Sequence, residues 1–171
     1  MTRSRKGPTP ERARLTHLDR KGQARMVDVS AKPPTLRQAV AAGSIRMSRE
    51  AWRALRSGRA GKGDAVALAR VAGIAAAKKT SEWIPLCHAI PLEHVGVDVR
   101  FGSEGRTIDV EATARARWST GVEMEALVAA ATALLTLYDM AKAIDRGMTI
   151  GRVRLLKKSG GRSGTYVRAG R

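Results

Sequence analysis

Only one cysteine, Cys87, occurs in the 171-residue chain, so no intrachain disulfide can form. That excludes the disulfide-rich secreted scaffolds and fits a reducing compartment. Aromatic residues make up 4% of the chain, and Phe101 is the sole phenylalanine. Platforms for single-stranded nucleic acid interleave aromatic and basic side chains, and no such pattern is present. Long hydrophobic runs are also missing. The longest, Ala126–Tyr138, is interrupted by Thr132 and Thr136 and stops at Asp139. A membrane-spanning helix needs about 18 apolar residues. The opening, MTRSRKGPTPERAR, is basic but lacks the apolar stretch of a signal peptide. A cytoplasmic protein without membrane contact is expected. His17, Cys87, His88 and His94 match no zinc spacing, so neither metal nor cofactor is expected.

Acids are few: 15 Asp and Glu stand against 32 Lys and Arg, for a formal net charge of +17. The surplus is uneven. Residues 1–25 hold eight Lys/Arg and two acids, and residues 151–171 hold seven and none, so the middle is only mildly basic. Basic ends can attract nucleic acid, a membrane surface or polyphosphate. For residues 1–25, with Gly7, Pro8, Pro10 and Gly22 and little apolar periodicity, a solvated tail is the plainer account. The C-terminal charges are interleaved with Ile150, Val153, Leu155 and Leu156, and so belong to folded structure. An apolar fraction of 43% and this length suit one domain with a real core. The expected division is a basic, flexible extension over residues 1–25 and a single domain over 26–171.

Periodicity places the elements. Met26–Val29 alternates and reads as extended. Thr35 can cap a short helix over Leu36–Ala42, stopped by Gly43, and Ser48 a second over Arg49–Arg56, stopped at Gly58. Ser57–Asp64 is a glycine-rich basic loop. Asp64 then caps a helix over Ala65–Lys79, with Val66, Ala69, Ala72, Gly73 and Ala76 along one stripe. Pro85 prevents any helix from continuing past Trp83. His94–Phe101 and Thr107–Ala116 alternate on either side of a Gly102–Arg106 turn, which predicts an antiparallel hairpin. Thr120–Ile144 carries the strongest helical pattern, through Leu127, Ala130, Ala131, Leu134, Tyr138 and Ala141, and Gly147 ends it. Thr149–Leu156 reads as a strand, Lys157–Gly164 as a loop, and Thr165–Arg168 as a last short strand. The order helix, helix, strand, strand, helix, strand predicts an α+β fold with an antiparallel sheet packed on helices.

Several groups can do chemistry. Gly58–Gly63 (GRAGKG) lacks the spacing of an NTPase P-loop, and Gly63 stands where Ser or Thr should hold magnesium. Lys62 can still meet an anion there, although a solvated loop lysine is the blander account. Lys157, Lys158 and Arg162, with Gly160, Gly161 and Gly164, make either a phosphate nest or a flexible turn. Cys87-His88 follow Pro85 in an irregular stretch, where structural and functional roles both remain open. Thr120 and Glu123 fit a capping box. Glu125 has no such role, and sits at the edge of an apolar face. Asp139 and Lys142 are helix-surface neighbours, either an ordinary ion pair or a perturbed one if the apolar end of the helix is buried. Glu125 and Asp139 lie roughly 21 Å apart along a helix, so both cannot touch one small reacting centre from one chain. If both act, a site must draw on two subunits.

The segments MVDVSAKPPTLRQAV (26–40), AGIAAAKKTSEWIPLCH (72–88), TGVEMEAL (120–127), LYDMAKA (137–143) and KKSGGRSG (157–164) follow one another in this order. Together they closely resemble the cyclic pyranopterin monophosphate synthase (MoaC) family of molybdenum cofactor biosynthesis, over roughly Met26 to Val167. The resemblance implies a lyase that converts 3′,8-cyclo-7,8-dihydro-GTP into cyclic pyranopterin monophosphate and releases pyrophosphate. It implies a ferredoxin-like sandwich and a homohexamer, a trimer of dimers with sites between subunits. Carried over by position, Asp139, Lys142 and Lys62 are the catalytic groups. Leu86, Cys87, His88, Met124 and Glu125 line the substrate site. Asp28, Lys32, Arg37 and Lys158 match positions near it, with the cations meeting the phosphates.

The chemistry suits these residue types. Ring opening and reclosure move protons, which needs groups that donate and accept near neutral pH. A lysine crowded by cations has its pKa lowered toward that range. Arg and Lys stabilise the charge that develops as a phosphate ring closes. Two departures stand out: Ala89 replaces the family's usual Pro after the site histidine, and Trp118-Ser119 replaces a small or basic pair. The rival reading is a basic nucleic-acid-binding module. Removing residues 1–25 separates the two, since the enzyme reading expects turnover to survive.

Overall fold

The computed structural model describes residues 17–19, 21–58 and 63–170. Its elements run β1 (Thr35–Arg46), α1 (Arg49–Arg56), α2 (Ala65–Ala77), α3 (Thr80–Trp83), β2 (His94–Phe101), β3 (Thr107–Trp118), α4 (Glu123–Ala141), β4 (Thr149–Ser159) and β5 (Tyr166–Val167). The five strands form one sheet in the order β2-β3-β1-β4-β5, and every neighbouring pair is antiparallel. Helices between β1 and β2, and α4 between β3 and β4, complete the β-α-β-β-α-β connectivity of a ferredoxin-like sandwich.

One expectation is overturned at the centre of this sheet. Leu36–Ala42 is not a helix but the first half of β1, paired with β3 from Thr35↔Trp118 to Arg46↔Thr107. The burial alternates with period two: Ala39, Ala41, Gly43 and Ile45 are buried and their neighbours are not. Alanine fits either period. Pairing on both edges, with β3 and β4, decides the outcome. The small residues serve close packing. A Cβ on Gly43 would lie 2.7 Å from Leu134 Cδ1 of α4, and one on Gly73 of α2 would lie 2.8 Å from the Ala129 carbonyl oxygen. At Gly73 α4 approaches α2 nearly backbone to backbone, and at Gly43 the Leu134 side chain takes the space a Cβ would need.

The helices cover one face of the sheet. From β3 that face contributes Ile108, Val110, Ala112, Ala114 and Ala116, all buried. The hairpin of β2 and β3 closes where expected, with Phe101↔Ile108 as its last pair before the turn. Trp52 of α1 packs edge-on against Phe101 and donates its indole N–H to the Thr107 carbonyl at 3.2 Å. Ser48 and Asp64 cap α1 and α2 as the sequence predicts.

The later boundaries shift. Helix α2 stops at Ala77, followed by the single turn of α3. Helix α4 begins at Glu123, with Val122 at the N-cap position and no side-chain cap, so the Thr120–Glu123 capping box does not form. It ends at Ala141, where Asp145 takes over by donating its N–H to the Ala141 carbonyl and accepting the Gly147 N–H. Strand β4 runs on to Ser159 because Lys158 and Ser159 pair with Ala39 and Gln38. Residues Met140 and Ala141 also lengthen the apolar helix beyond the run counted above. By length and composition α4 could cross a membrane, with mean hydropathy 1.4 over its best window. Its packing against both α2 and the sheet, and the buried Glu125 within it, mark it as a core helix.

Candidate active site

The N-terminal turn of α4, the irregular stretch after α3 and the segment before β1 enclose a cleft of about 370 Å³. Six of the residues singled out in the sequence line it: Lys32, Leu86, Cys87, His88, Met124 and Glu125. Seven that were not assigned to it do so as well: His17, Val27, Val29, Ile90, Thr120, Gly121 and Glu123. Pro85 produces the irregular stretch, and a turn in which the Cys87 N–H donates to the Ile84 carbonyl follows at once. His88 is oriented by a hydrogen bond of 2.9 Å between Nε2 and the Val27 carbonyl oxygen. A carbonyl only accepts, so Nε2 carries a proton and Nδ1 is the atom left to exchange one.

The remaining predicted binding residues surround the cleft without lining it. Arg37 donates through Nε to the Trp118 carbonyl at 3.1 Å and through Nη2 to the Ser119 carbonyl at 3.3 Å. The Ser119 hydroxyl in turn donates to the Lys32 carbonyl at 2.8 Å. Arg37 therefore holds the backbone of the Trp118-Ser119 departure, which makes the grip independent of those side chains. Lys158 Nζ lies 3.5 Å from Glu123 Oε1 and donates to the Ser163 hydroxyl at 2.5 Å. Asp28 accepts from the hydroxyl and the N–H of Ser30, and these bonds hold its carboxyl below the usual range. It shapes the segment that bears Val27 and Val29.

Glu125 is 3% exposed, and burial pushes its pKa up to about 7, with the charge of Glu123 adding to the rise. Burial also raises the Cys87 thiol, helped by Glu125, so a neutral thiol lines the cleft. A carboxyl near pKa 7 can both donate and accept a proton at physiological pH. It has a measurable consequence for folding. Native Glu125 holds its proton more tightly than the unfolded chain does, so folding takes up a proton between pH 4.5 and about 7. Stability is fully present below that window and falls as pH rises through it, by up to about 1.4 kcal/mol per pH unit from this one group. Glu125→Gln should flatten that slope and make the protein more stable than wild type above pH 7. Urea midpoints across pH 4 to about 8 test this, and parallel curves for the two proteins would refute it.

Asp139 and Lys142 form a separate group at the far end of α4. Lys142 Nζ lies 2.6 Å from Asp139 Oδ1. Of the two alternatives the structure has the ordinary ion pair: the side chains are 53% (Lys142) and 54% (Asp139) exposed. The hydrogen bond and charge of Asp139 raise the Lys142 pKa above the usual lysine value. A cation at this C-terminal cap also suits the helix dipole. The spacing on α4 keeps this pair roughly 21 Å from Glu125 within one chain. Lys62 lies outside the described residues. A second, more open concavity of about 460 Å³ runs along β4 among Arg152, Arg154 and Arg168, and none of the predicted site residues lines it. Among the described residues no group of three or more His, Cys, Asp or Glu could hold a metal ion.

Comparison with known proteins bears directly on the cleft. The MoaC family model matches residues 26–161. A protein of Thermomicrobium roseum, named cyclic pyranopterin monophosphate synthase, is 58% identical over 156 residues, spanning 91% of this chain and 94% of the relative. A Roseiflexus protein of the same name is 57% identical over 153 residues, 90% of this chain and 97% of its own. A third, from Parvibaculum lavamentivorans, is 52% identical over 153 residues, 90% of this chain and 96% of its own. The match takes in the wall from Val27 to Lys32, the Leu86–His88 turn and both ends of α4. On that extent of agreement, the chain belongs to the MoaC family.

Proposed function

We propose that this chain converts 3′,8-cyclo-7,8-dihydro-GTP into cyclic pyranopterin monophosphate, with release of pyrophosphate, in molybdenum cofactor biosynthesis in the cytoplasm. The observation that carries the reading is the convergence of Glu125, Cys87, His88, Met124 and Lys32 on one cleft, with a carboxyl poised near pKa 7 among them. Glu123 and Glu125 suit the N–H donors of a guanine or pterin edge. Lys32 at the cleft, with Arg37 and Lys158 beside it, suits the phosphates. Glu125 and His88 Nδ1 are the groups that pass protons during ring opening and reclosure.

Residues 26–171 act as the catalytic domain in this reading. Asp139 and Lys142 complete the site from a neighbouring subunit, with Lys62 as the second catalytic lysine, in a hexamer built as a trimer of dimers. The spacing along α4 supports this, as do Leu68 and Val71 on α2 and Leu135 on α4, which remain exposed on the solvent side of the helical layer. Incubating the purified chain with 3′,8-cyclo-7,8-dihydro-GTP should yield one pyrophosphate per pterin product. Intact substrate after prolonged incubation would reject the assignment.

A further inference from the structure

Residues 17–19 and 21–25 precede the family match, which starts at residue 26, yet they form a built turn. Asp19 Oδ1 accepts the N–H groups of Lys21 at 2.7 Å and Gln23 at 2.9 Å. The Asp19 N–H donates to the Gln23 carbonyl at 2.9 Å, and Leu18 bridges Ala24. The Arg25 N–H closes the turn on the His17 carbonyl at 2.8 Å. Two residues further on, the Val27 carbonyl meets His88, and the Lys32 carbonyl meets Ser119. The segment 17–32 is thus pinned to the site and forms one wall of the cleft, which His17, Val27, Val29 and Lys32 line.

The two walls differ in charge. The α4 wall brings Glu123 and Glu125, whereas the polar side chains of the segment 17–32 that line the cleft are His17 and Lys32. Acids attract the N–H edge of a base. An ammonium and an imidazole N–H attract phosphate oxygens. We propose that His17 is a substrate-binding residue that donates a hydrogen bond to the polyphosphate end of the substrate, an inference that rests on the reaction proposed above. The turn of residues 17–25 exists to carry it there.

Two measurements on the full chain test this: calorimetric titration with pyrophosphate, and steady-state kinetics with the cyclic dihydro-GTP. His17→Ala should weaken pyrophosphate binding and raise KM by about tenfold, as expected for losing a hydrogen bond to a charged group. kcat should stay within about twofold, because the group is assigned to binding common to ground and transition states. His17→Gln, which keeps an N–H donor, should recover part of the loss. Asp19→Ala, which opens the turn without touching substrate, should reproduce the KM effect. Unchanged Kd and KM in His17→Ala would overturn the inference, as would a fall in kcat at constant KM. If wild type binds pyrophosphate through His17 but forms no product, the reaction falls and the subsite stands. Removing residues 1–25 therefore no longer gives a neutral comparison with nucleic-acid binding. Removing 1–16 does, and should leave KM unchanged.

Discussion

Lys142→Ala is expected to lower kcat by about 10²–10⁴-fold, the range for losing a positioned proton-transfer group. The folded state should be unaffected, because the side chain is half exposed and its ion pair with Asp139 lies at the surface. In the proposed reaction Asp139, which raises the Lys142 pKa, keeps the amine protonated and suits it to act as a donor. A donor with a raised pKa limits activity only on the alkaline side of the pH profile. Asp139→Asn removes the negative charge that helps raise the Lys142 pKa while keeping a side chain that can accept its hydrogen bond. It should move the alkaline limb of kcat to lower pH as well as lower the maximum. Near-wild-type turnover in both variants, or an alkaline limb that stays in place in Asp139→Asn, would remove these residues from the mechanism.

What could be read from the sequence depended on whether the deciding contact was local. The α1 and α2 caps, the Pro85 stop and the β2–β3 hairpin are set by residues within a few positions, and the structure has them as expected. Residues 36–42 are decided by partners 69 to 81 positions away in β3 and by β4, and the alanines among them carry no trace of that. Glu123 shows the same limit. As a capping residue it needed only Thr120, but in the structure it faces Lys158 across the fold. Glu125 was legible for the opposite reason. A carboxylate with neither cap nor helix partner beside an apolar face has few roles, and burial with a raised pKa is one of them. His17 left no usable signal, because its place in the cleft depends on a turn closed by Asp19 and Arg25 in a stretch that reads as a basic tail.

Mixing two inactive variants should restore activity. Glu125→Gln removes the near-neutral carboxyl of the cleft, and Lys142→Ala removes the donor at the other end of α4. Both substitutions lie along one rigid helix and its C-cap, roughly 25 Å apart, so no bending of the chain brings the two groups together. If each site takes its cleft from one protomer and its Asp139–Lys142 pair from the next, a mixed pair holds one site with both defects and one with neither. Random mixing at equal amounts then leaves about a quarter of the sites intact, by the symmetry of a two-chain interface. Activity should climb to that fraction as subunits exchange, and kcat per intact site should match wild type. The same logic predicts rescue between Lys62→Ala and Lys142→Ala only if those two residues reach a site from different chains. A mixture that exchanges subunits, as shown by mass-tagged protomers, yet stays as inactive as either parent would place the whole reaction within one chain. The cleft at Glu125 would then have to work without Lys142.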